Sequence, residues 1–464
     1  MTNVAHISVD RRRSSRNVHV GLVTVFFRGA SWHIYYREGG RPKRVRIGHD
    51  LDEAKRHAAE VNAQISHGLP SAFGFERLSV VELVEHWLEH HEYVLRSAVP
   101  TIRRYRSAVA HMTRFVEATS PRLTADAFDT RMAEAFVKHL RTTVTSPNGH
   151  PNAAKRTLRD KGICFILGAT RALMNFAARQ RHVPPYAKNP FSEIGVERMR
   201  IEDAKPIAVL GPEEEAAFLR ACSPHQFRVF FTLGFTGMRP GELCHLLVDD
   251  VDVAARTLHI RNHPQLGWRT KTRTERRVFL FDELLAVLRD AIAGRASGPV
   301  FLAARFAAGT SAPMLAGLDE RALIDELRRR VAWPVVEAGR VAGRAAEERE
   351  AKRLWRDAGA LTPKRVRTEF MRVARRIGRP DLTCPKLWRH QMVTSMQSAD
   401  VDLMTRKAVV GHTRTETSEV YTHVQDATLS AGMMKVVGYR PLAVGIARER
   451  LAATSHGSGV RQHA

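Results

Sequence analysis

The chain has 464 residues, too many for one ordinary hydrophobic core, and at roughly 100–200 residues per domain it divides into about three units. Lys and Arg number 73 against 48 Asp and Glu, a formal charge of +25, which exceeds what solubility requires and points to a polyanion, nucleic acid first. With an ordinary 44% apolar content, no run near the ~18 apolar residues of a membrane span, no signal-peptide core and four widely separated cysteines (Cys164, Cys222, Cys244, Cys384), the sequence predicts a reduced cytoplasmic, nucleoid-associated protein without zinc ribbon or disulfide framework.

Residues 22–28 (LVTVFFR), 32–37 (WHIYYR) and 43–47 (KRVRI) are short β segments joined by Gly29 and by a Gly-Gly turn, and predict an antiparallel three-stranded sheet. A helix follows from Asp50, where Asp50 and Glu53 have capping-box spacing and Leu51, Ala54, Ala58, Val61 and Ile65 recur at helical period. Residues 1–68 thus read as one small domain. Its first 49 residues hold ten Lys/Arg and two Asp/Glu, which makes Arg41, Lys43, Arg44 and Arg46 candidate phosphate contacts; the plainer alternative is a solvated basic edge that discourages aggregation.

From residue 77 to about 200 the pattern is helical. Ser79 and Glu82 suggest a second capping box, Leu83 and Trp87 carry the first helix, and Ile102, Tyr105, Val109, Met112 and Val116 line the second. Arg103, Arg104 and Arg106 lie off that stripe and are candidate DNA contacts. A third helix is expected near 131–140 and a fourth near 153–179, giving a basic helical bundle. His86 and His90 have a spacing that could hold a metal, but no third ligand is evident, so a hydrated bundle face is the simpler reading and no metal is expected. Pro184, Pro185, Pro190 and Pro206 mark a linker.

The last unit begins near 207. Gly211-Pro212 followed by Glu213, Glu214 and Glu215 is a helix start, residues 227–235 a buried helix, and 257–261 with 276–281 a hairpin around a polar connection. Residues 318–360, rich in Glu, Arg and Ala, read as a solvated helical insertion, and 436–464 as a tail with one short helix. The fold class is mainly α with small β-sheets (α+β).

The chemistry-bearing residues of this unit stand on separate elements. Arg239 sits in TGMRPGEL, Lys271 in the hairpin loop WRTKT, Lys386 and Arg389 in KLWRH, His412 after Gly411, and Tyr421 nine residues further on. Each has a plain reading by itself: Arg239 paired to Glu242, Lys271 as an ordinary phosphate contact, Tyr421 in a core. In this order, the set resembles the tyrosine recombinases, the phage integrase family. The resemblance covers residues 207–435, and the order of the two upstream units is similar too.

It implies a three-domain architecture: an arm-binding domain (1–68), a helical, SAM-like core-binding domain (77–200), and a mixed α/β catalytic domain (207–435) whose hairpin carries the catalytic lysine. It further implies a site-specific recombinase that cleaves and rejoins DNA through a covalent 3′-phosphotyrosine, needs no cofactor, and integrates or excises a mobile element. Tyr421 would be the nucleophile, Arg239 and Arg389 the phosphate clamp, Lys271 on its mobile hairpin the donor of a proton to the leaving 5′ oxygen, and His412 a phosphate ligand or helper of the tyrosine. Glu242 resembles the supporting acid. At Lys386 the commoner family residue is histidine; an amine with a reference pKa of ~10.4 stays charged at neutrality, so Lys386 reads as a fixed cation, with His390 the residue to test should that fail. The implied partners are double-stranded DNA at core and arm sites, a homotetramer on DNA, accessory DNA-bending or directionality proteins, and no membrane. A type IB topoisomerase-like enzyme and an inert DNA-binding protein on the same scaffold are the alternatives.

Overall fold

In the computed structural model, which describes residues 17–146, 152, 154–203, 208–309, 311–338, 343–411 and 425–458, the amino-terminal sheet has four strands where the sequence predicts three. Val18–Val20 (β1) precedes Val23–Arg28 (β2), Ser31–Glu38 (β3) and Arg41–Gly48 (β4), and the antiparallel order is β1-β2-β3-β4. The extra strand is only three residues long, and its turn depends on Gly21 at φ 57° and on the Leu22 amide donating to Asn62 Oδ1 at 2.8 Å. That partner lies on the helix Leu51–Ser66 (α1), out of reach of a local pattern. Val23, Val25, Ile34 and Tyr36 form the sheet's side of a core closed by Ala54, Ala58 and Val61 of α1.

Residues 1–205 form one of two compact units and contain, besides that core, a second one made by helices. These are Val80–Glu89 (α2), Val99–Thr119 (α3), Thr130–Thr142 (α4) and Asp160–Arg179 (α5). Ser79 and Glu82 form the predicted box, the Glu82 amide donating to Ser79 Oγ and the Ser79 amide to Glu82 Oε2. The fourth helix starts at Asp160 rather than near 153, because Arg156–Thr157 pairs as a strand with Val144–Thr145.

Residues 206–464 form the other unit. Its helices Pro212–Arg220 (α6) and Pro224–Thr236 (α7) precede a three-stranded antiparallel sheet, Val251–Asp252 (β5), Thr257–Ile260 (β6) and Arg276–Phe279 (β7). Asp282–Ile292 (α8), Glu320–Ala338 (α9), Arg344–Asp357 (α10), Pro363–Arg376 (α11), Leu387–Ser398 (α12), Leu403–Val410 (α13), Asp426–Tyr439 (α14) and Pro441–Ser458 (α15) follow. α7 is the centre of this core: Phe230, Phe231 and Phe235 pack with Phe218, Phe281, Phe370 and Trp388. Each such side chain contributes about 1.5–3 kcal/mol on burial. α7 stops at Gly237 in the left-handed region (φ 60°), where a Cβ would stand 3.0 Å from Val410 and 3.1 Å from Met392.

Two expectations need correcting here. The 318–360 insertion is not merely solvated: Leu323 and Leu327 of α9 and Ala351, Leu354 and Trp355 of α10 build a core with Leu247 and Leu266. Residues 436–453 are not a tail: α14 runs to Tyr439, and Ala443, Val444, Ile446 and Ala447 of α15 are buried in the main core. Arg440 between them is 5% exposed, forms an ion pair with the buried Glu215 of α6, and donates to the Gly234 carbonyl at 2.7 Å.

Candidate active site

Arg239 begins a one-turn helix, Pro240–Leu243, directly after Gly237 and Met238. Its amide donates to Glu242 Oε2 at 2.9 Å and its Nη1 to Glu242 Oε1 at 2.7 Å, so the turn and the guanidinium are fixed by one carboxylate. Glu242 is buried and takes a third hydrogen bond, from Arg276 Nη2 at 2.6 Å. Burial alone would raise its pKa; the Arg276 charge and the hydrogen bonds from Arg276 and Arg239 outweigh it and hold the carboxyl below its ordinary value.

Arg276 opens β7 and was not among the sequence candidates. Its Nε donates to the Val409 carbonyl at 2.8 Å, tying the hairpin to the end of α13, and Gly411 (φ 69°) approaches so closely that a Cβ would lie 3.1 Å from Arg276 Cδ. Its partner Glu242 stands 34 positions earlier, a separation that no local spacing reveals.

Arg389, on the first turn of α12, is 3% exposed and donates from Nη1 to the Gly237 carbonyl at 2.9 Å. Its Nη2 is buried and has no hydrogen-bond partner among the described residues. Burial first, then the charges of Arg239 and Arg276, push this guanidinium down to about 10, with Glu242 opposing. Three guanidinium charges against one carboxylate leave an excess of two positive charges and an N–H awaiting an acceptor. An anion with several oxygens, such as a phosphate, answers both.

Lys271 is exposed in a turn closed by the Arg273 amide donating to the Thr270 carbonyl at 3.1 Å. The root of its loop touches the Arg239 turn, because Trp268 comes within 3.0 Å of where a Gly241 Cβ would be. Lys386 is exposed at the start of α12. Burial, then the charges of Lys386 and Arg389, hold the half-buried His390 below its ordinary pKa. His412 and Tyr421 lie outside the described residues.

In the amino-terminal unit the basic candidates separate by face. Register puts Arg44 opposite Tyr35 and Thr24, and Arg46 opposite His33 and Phe26; this face turns away from α1. Arg44 lies 5.7 Å from the centre of the Phe26 ring, which His33 stacks at 5.5 Å. Arg41 and Lys43 alternate onto the other face with Val45 and Ile47. On α3, Arg103 and Arg106 are exposed, while Arg104 covers the Phe165 ring at 4.1 Å. Among the described residues no group of three His, Cys, Asp or Glu is placed to hold a metal ion, and no helix is long and apolar enough to cross a membrane.

A cluster of guanidinium groups locked around one carboxylate, with donor capacity left over, is suited to phosphoryl transfer on a nucleic-acid backbone. Residues 210–428 match the sequence model of the phage integrase family. Among solved structures, the chain is similar to the Tn1549 transposon integrase in complex with circular intermediate DNA, at 16% identity over 77% of this chain and 99% of that one, with a TM-score of 0.48. It is also similar to a lambda integrase dimer bound to a COC′ core site (13% identity, 90% and 99% coverage, TM-score 0.46) and to XerA recombinase (16%, 77% and 98%, 0.30). Comparison with curated proteins yields no match. The chain carries a phage integrase family domain over residues 210–428. It is a site-specific DNA recombinase, an enzyme that cleaves and rejoins DNA strands.

Proposed function

We propose that Tyr421 attacks the scissile phosphodiester and that Arg239, Arg276 and Arg389 hold the phosphate while it does so. The tyrosine hydroxyl gives up its proton, to His412 or to water, as its oxygen forms a bond to phosphorus; the bond to the 5′ oxygen breaks, and its electron pair stays on that oxygen, which takes a proton from the Lys271 ammonium. His412 assists at the phosphate or the tyrosine, Lys386 adds a fixed cation, and Glu242 positions Arg239 and Arg276. The observation that carries this reading is the buried Nη2 of Arg389, without a partner among the described residues, inside a cluster of excess positive charge. Because the charge that would meet the phosphate comes from side chains, incubation with a nicked duplex spanning the junction of the DNA element that carries the gene should give a covalent adduct even in excess chelator. Adduct formation that stops in chelator and returns with a divalent metal would refute this account.

The reaction joins two duplexes and so requires four such sites; the proposed assembly is a homotetramer on DNA in the nucleoid, helped by DNA-bending or directionality proteins. Residues 77–200 would bind the core site. The amino-terminal sheet would hold a distal arm site through the face of Arg44 and Arg46. Deleting residues 1–68 should therefore preserve cleavage of a short core duplex and abolish retention of arm-containing DNA in a gel-shift assay. Loss of core cleavage by a folded truncated chain would contradict this division of labour.

A further inference from the structure

The loop between β6 and β7, which carries Lys271, is bound along its root by the two helices of the insertion. Trp355 Nε1 of α10 donates to the Leu266 carbonyl at 3.1 Å, and Leu266 is itself buried among Leu323, Leu327 and Leu354. The next residue, Gly267 (φ 69°), leaves no room for a side chain: a Cβ there would stand 2.5 Å from Ala351 Cβ, so α10 lies against bare backbone. Four residues earlier in the loop, the buried His263 ring is held between two carboxylates. Its Nδ1 is 2.7 Å from Glu320 of α9 and its Nε2 is 3.2 Å from Asp250, while Arg261 Nη2 donates to the other oxygen of Glu320 at 3.1 Å. Burial opposes charge on this ring, but the hydrogen bonds and charges of Asp250 and Glu320 outweigh it and raise its pKa above the ordinary histidine value.

The restraint continues toward the lysine. His263 and Trp268 exchange both backbone hydrogen bonds, at 3.1 and 3.0 Å. Trp268 stacks flat on His245 with ring centres 3.8 Å apart, and Trp355 meets the same imidazole edge-on at 4.7 Å. His245 is anchored in turn on the Gly241 carbonyl at 2.7 Å, in the turn that carries Arg239. Beyond Trp268, Asn262 accepts from the Thr270 amide at 2.8 Å and donates to the Arg273 carbonyl at 3.1 Å, clipping the two sides of the Lys271 turn together. A bonded path thus runs from α9 and α10 to the residue before Lys271.

We propose that the two-helix insertion is a brace for the lysine loop, and that Glu320 and Trp355 are positioning residues which set the reach of the Lys271 ammonium toward the leaving 5′ oxygen. The proposal rests on the assignment of Lys271 as the proton donor. Proton transfer needs donor and acceptor within about 2.6–3.2 Å, and a lysine has a long, rotatable stem whose ordering is entropically costly. A root fixed at four points removes the loop's share of that freedom. Neither α9 nor α10 holds any residue of the proposed chemistry, so their effect on cleavage would pass through the loop.

The test compares two substrates under single-turnover conditions with the full-length chain: the nicked junction duplex, and the same duplex with sulfur in place of the scissile 5′ bridging oxygen. A thiolate leaves without being protonated, so a defect confined to proton delivery disappears on the sulfur substrate. Lys271→Ala should cleave the oxygen substrate about 100-fold more slowly and regain the parent rate on sulfur to within about threefold. Glu320→Gln, which keeps shape and removes a charge, and Trp355→Phe, which removes the N–H together with one ring of the indole, should lose about tenfold on oxygen and be restored on sulfur in the same way. With Lys271→Ala restored, equal losses by the brace variants on both substrates, or parent rates on both, would overturn the brace. Should Lys271→Ala itself fail to recover on sulfur, the assignment of the lysine falls first and the brace with it.

Discussion

Replacing Tyr421 by phenylalanine should abolish the covalent protein–DNA adduct, a loss of roughly 10⁴-fold or more, since removing a nucleophile leaves only binding and charge stabilisation behind. DNA affinity should stay within about twofold of the parent, because one hydroxyl is a small part of an interface governed by phosphate contacts. The measurement is a denaturing gel of labelled nicked duplex after incubation with each protein, alongside a gel-shift titration. Normal adduct formation by the variant would remove Tyr421 as the nucleophile, and with it the proposed order of bond making and breaking. Loss of the adduct together with loss of binding would instead assign the tyrosine to the interface.

Arg389→Lys should slow cleavage by about 100-fold or more, the scale associated with losing one donor aimed at a charge that develops in the transition state. Two features of the site make this conservative change costly. The guanidinium spends Nη1 on the Gly237 carbonyl and keeps Nη2 in reserve, a fork that a single ammonium does not reproduce. Burial and the neighbouring Arg239 and Arg276 also push the arginine down to about 10, still charged at neutral pH. A lysine starts lower, from ~10.4, so the same burial and neighbouring charges would depress it toward neutrality and leave part of the population neutral. The sign follows: the positive form exists below the depressed pKa and is lost above it. The variant's rate should therefore fall as pH rises above neutrality, while the parent's changes less over that range. A flat profile, parallel to the parent's, would show that position 389 does not contribute its charge to the reaction.

The parts of this protein that were legible in its sequence are those whose partners are close along the chain. Ser79 and Glu82 form their box as spaced, the 227–235 run is the buried α7, and Arg239 does pair with Glu242 three residues on. Arg276 was missed because it reads as one more strand arginine; its role comes from Glu242 and the Val409 carbonyl, brought to it by tertiary packing. Strand β1 was missed because three residues carry no measurable alternation and its turn leans on Asn62. In α9 and α10 the charged residues dominate composition, yet Leu323 and Leu327, four apart, and Leu354 with Trp355 supply a narrow apolar stripe that is enough for a small core. For α15, small residues conceal the burial: its alanines and glycine look like a tail, although Ala443 and Ala447 are buried in the core beside Val444 and Ile446.

The ion pair between Arg440 and Glu215 joins the first helix of the catalytic unit to the junction between its last two, α14 and α15. Both side chains are almost wholly buried, and Arg440 also covers the face of Phe235 at 3.9 Å. A chain emerging from the ribosome therefore exposes α6 and α7 long before the arginine that neutralises Glu215 exists. Leaving one member of such a pair uncompensated costs about 3–5 kcal/mol, a large fraction of the stability of a typical domain. The domain's completion thus waits for the synthesis of Arg440 and not only for that of Tyr421. A nascent chain that already contains every proposed chemical group lacks the closure that holds α7, and with it the Gly237 carbonyl on which Arg389 is set. For an enzyme that cuts DNA, this order of synthesis leaves the arginine cluster without its support until the chain has passed Arg440.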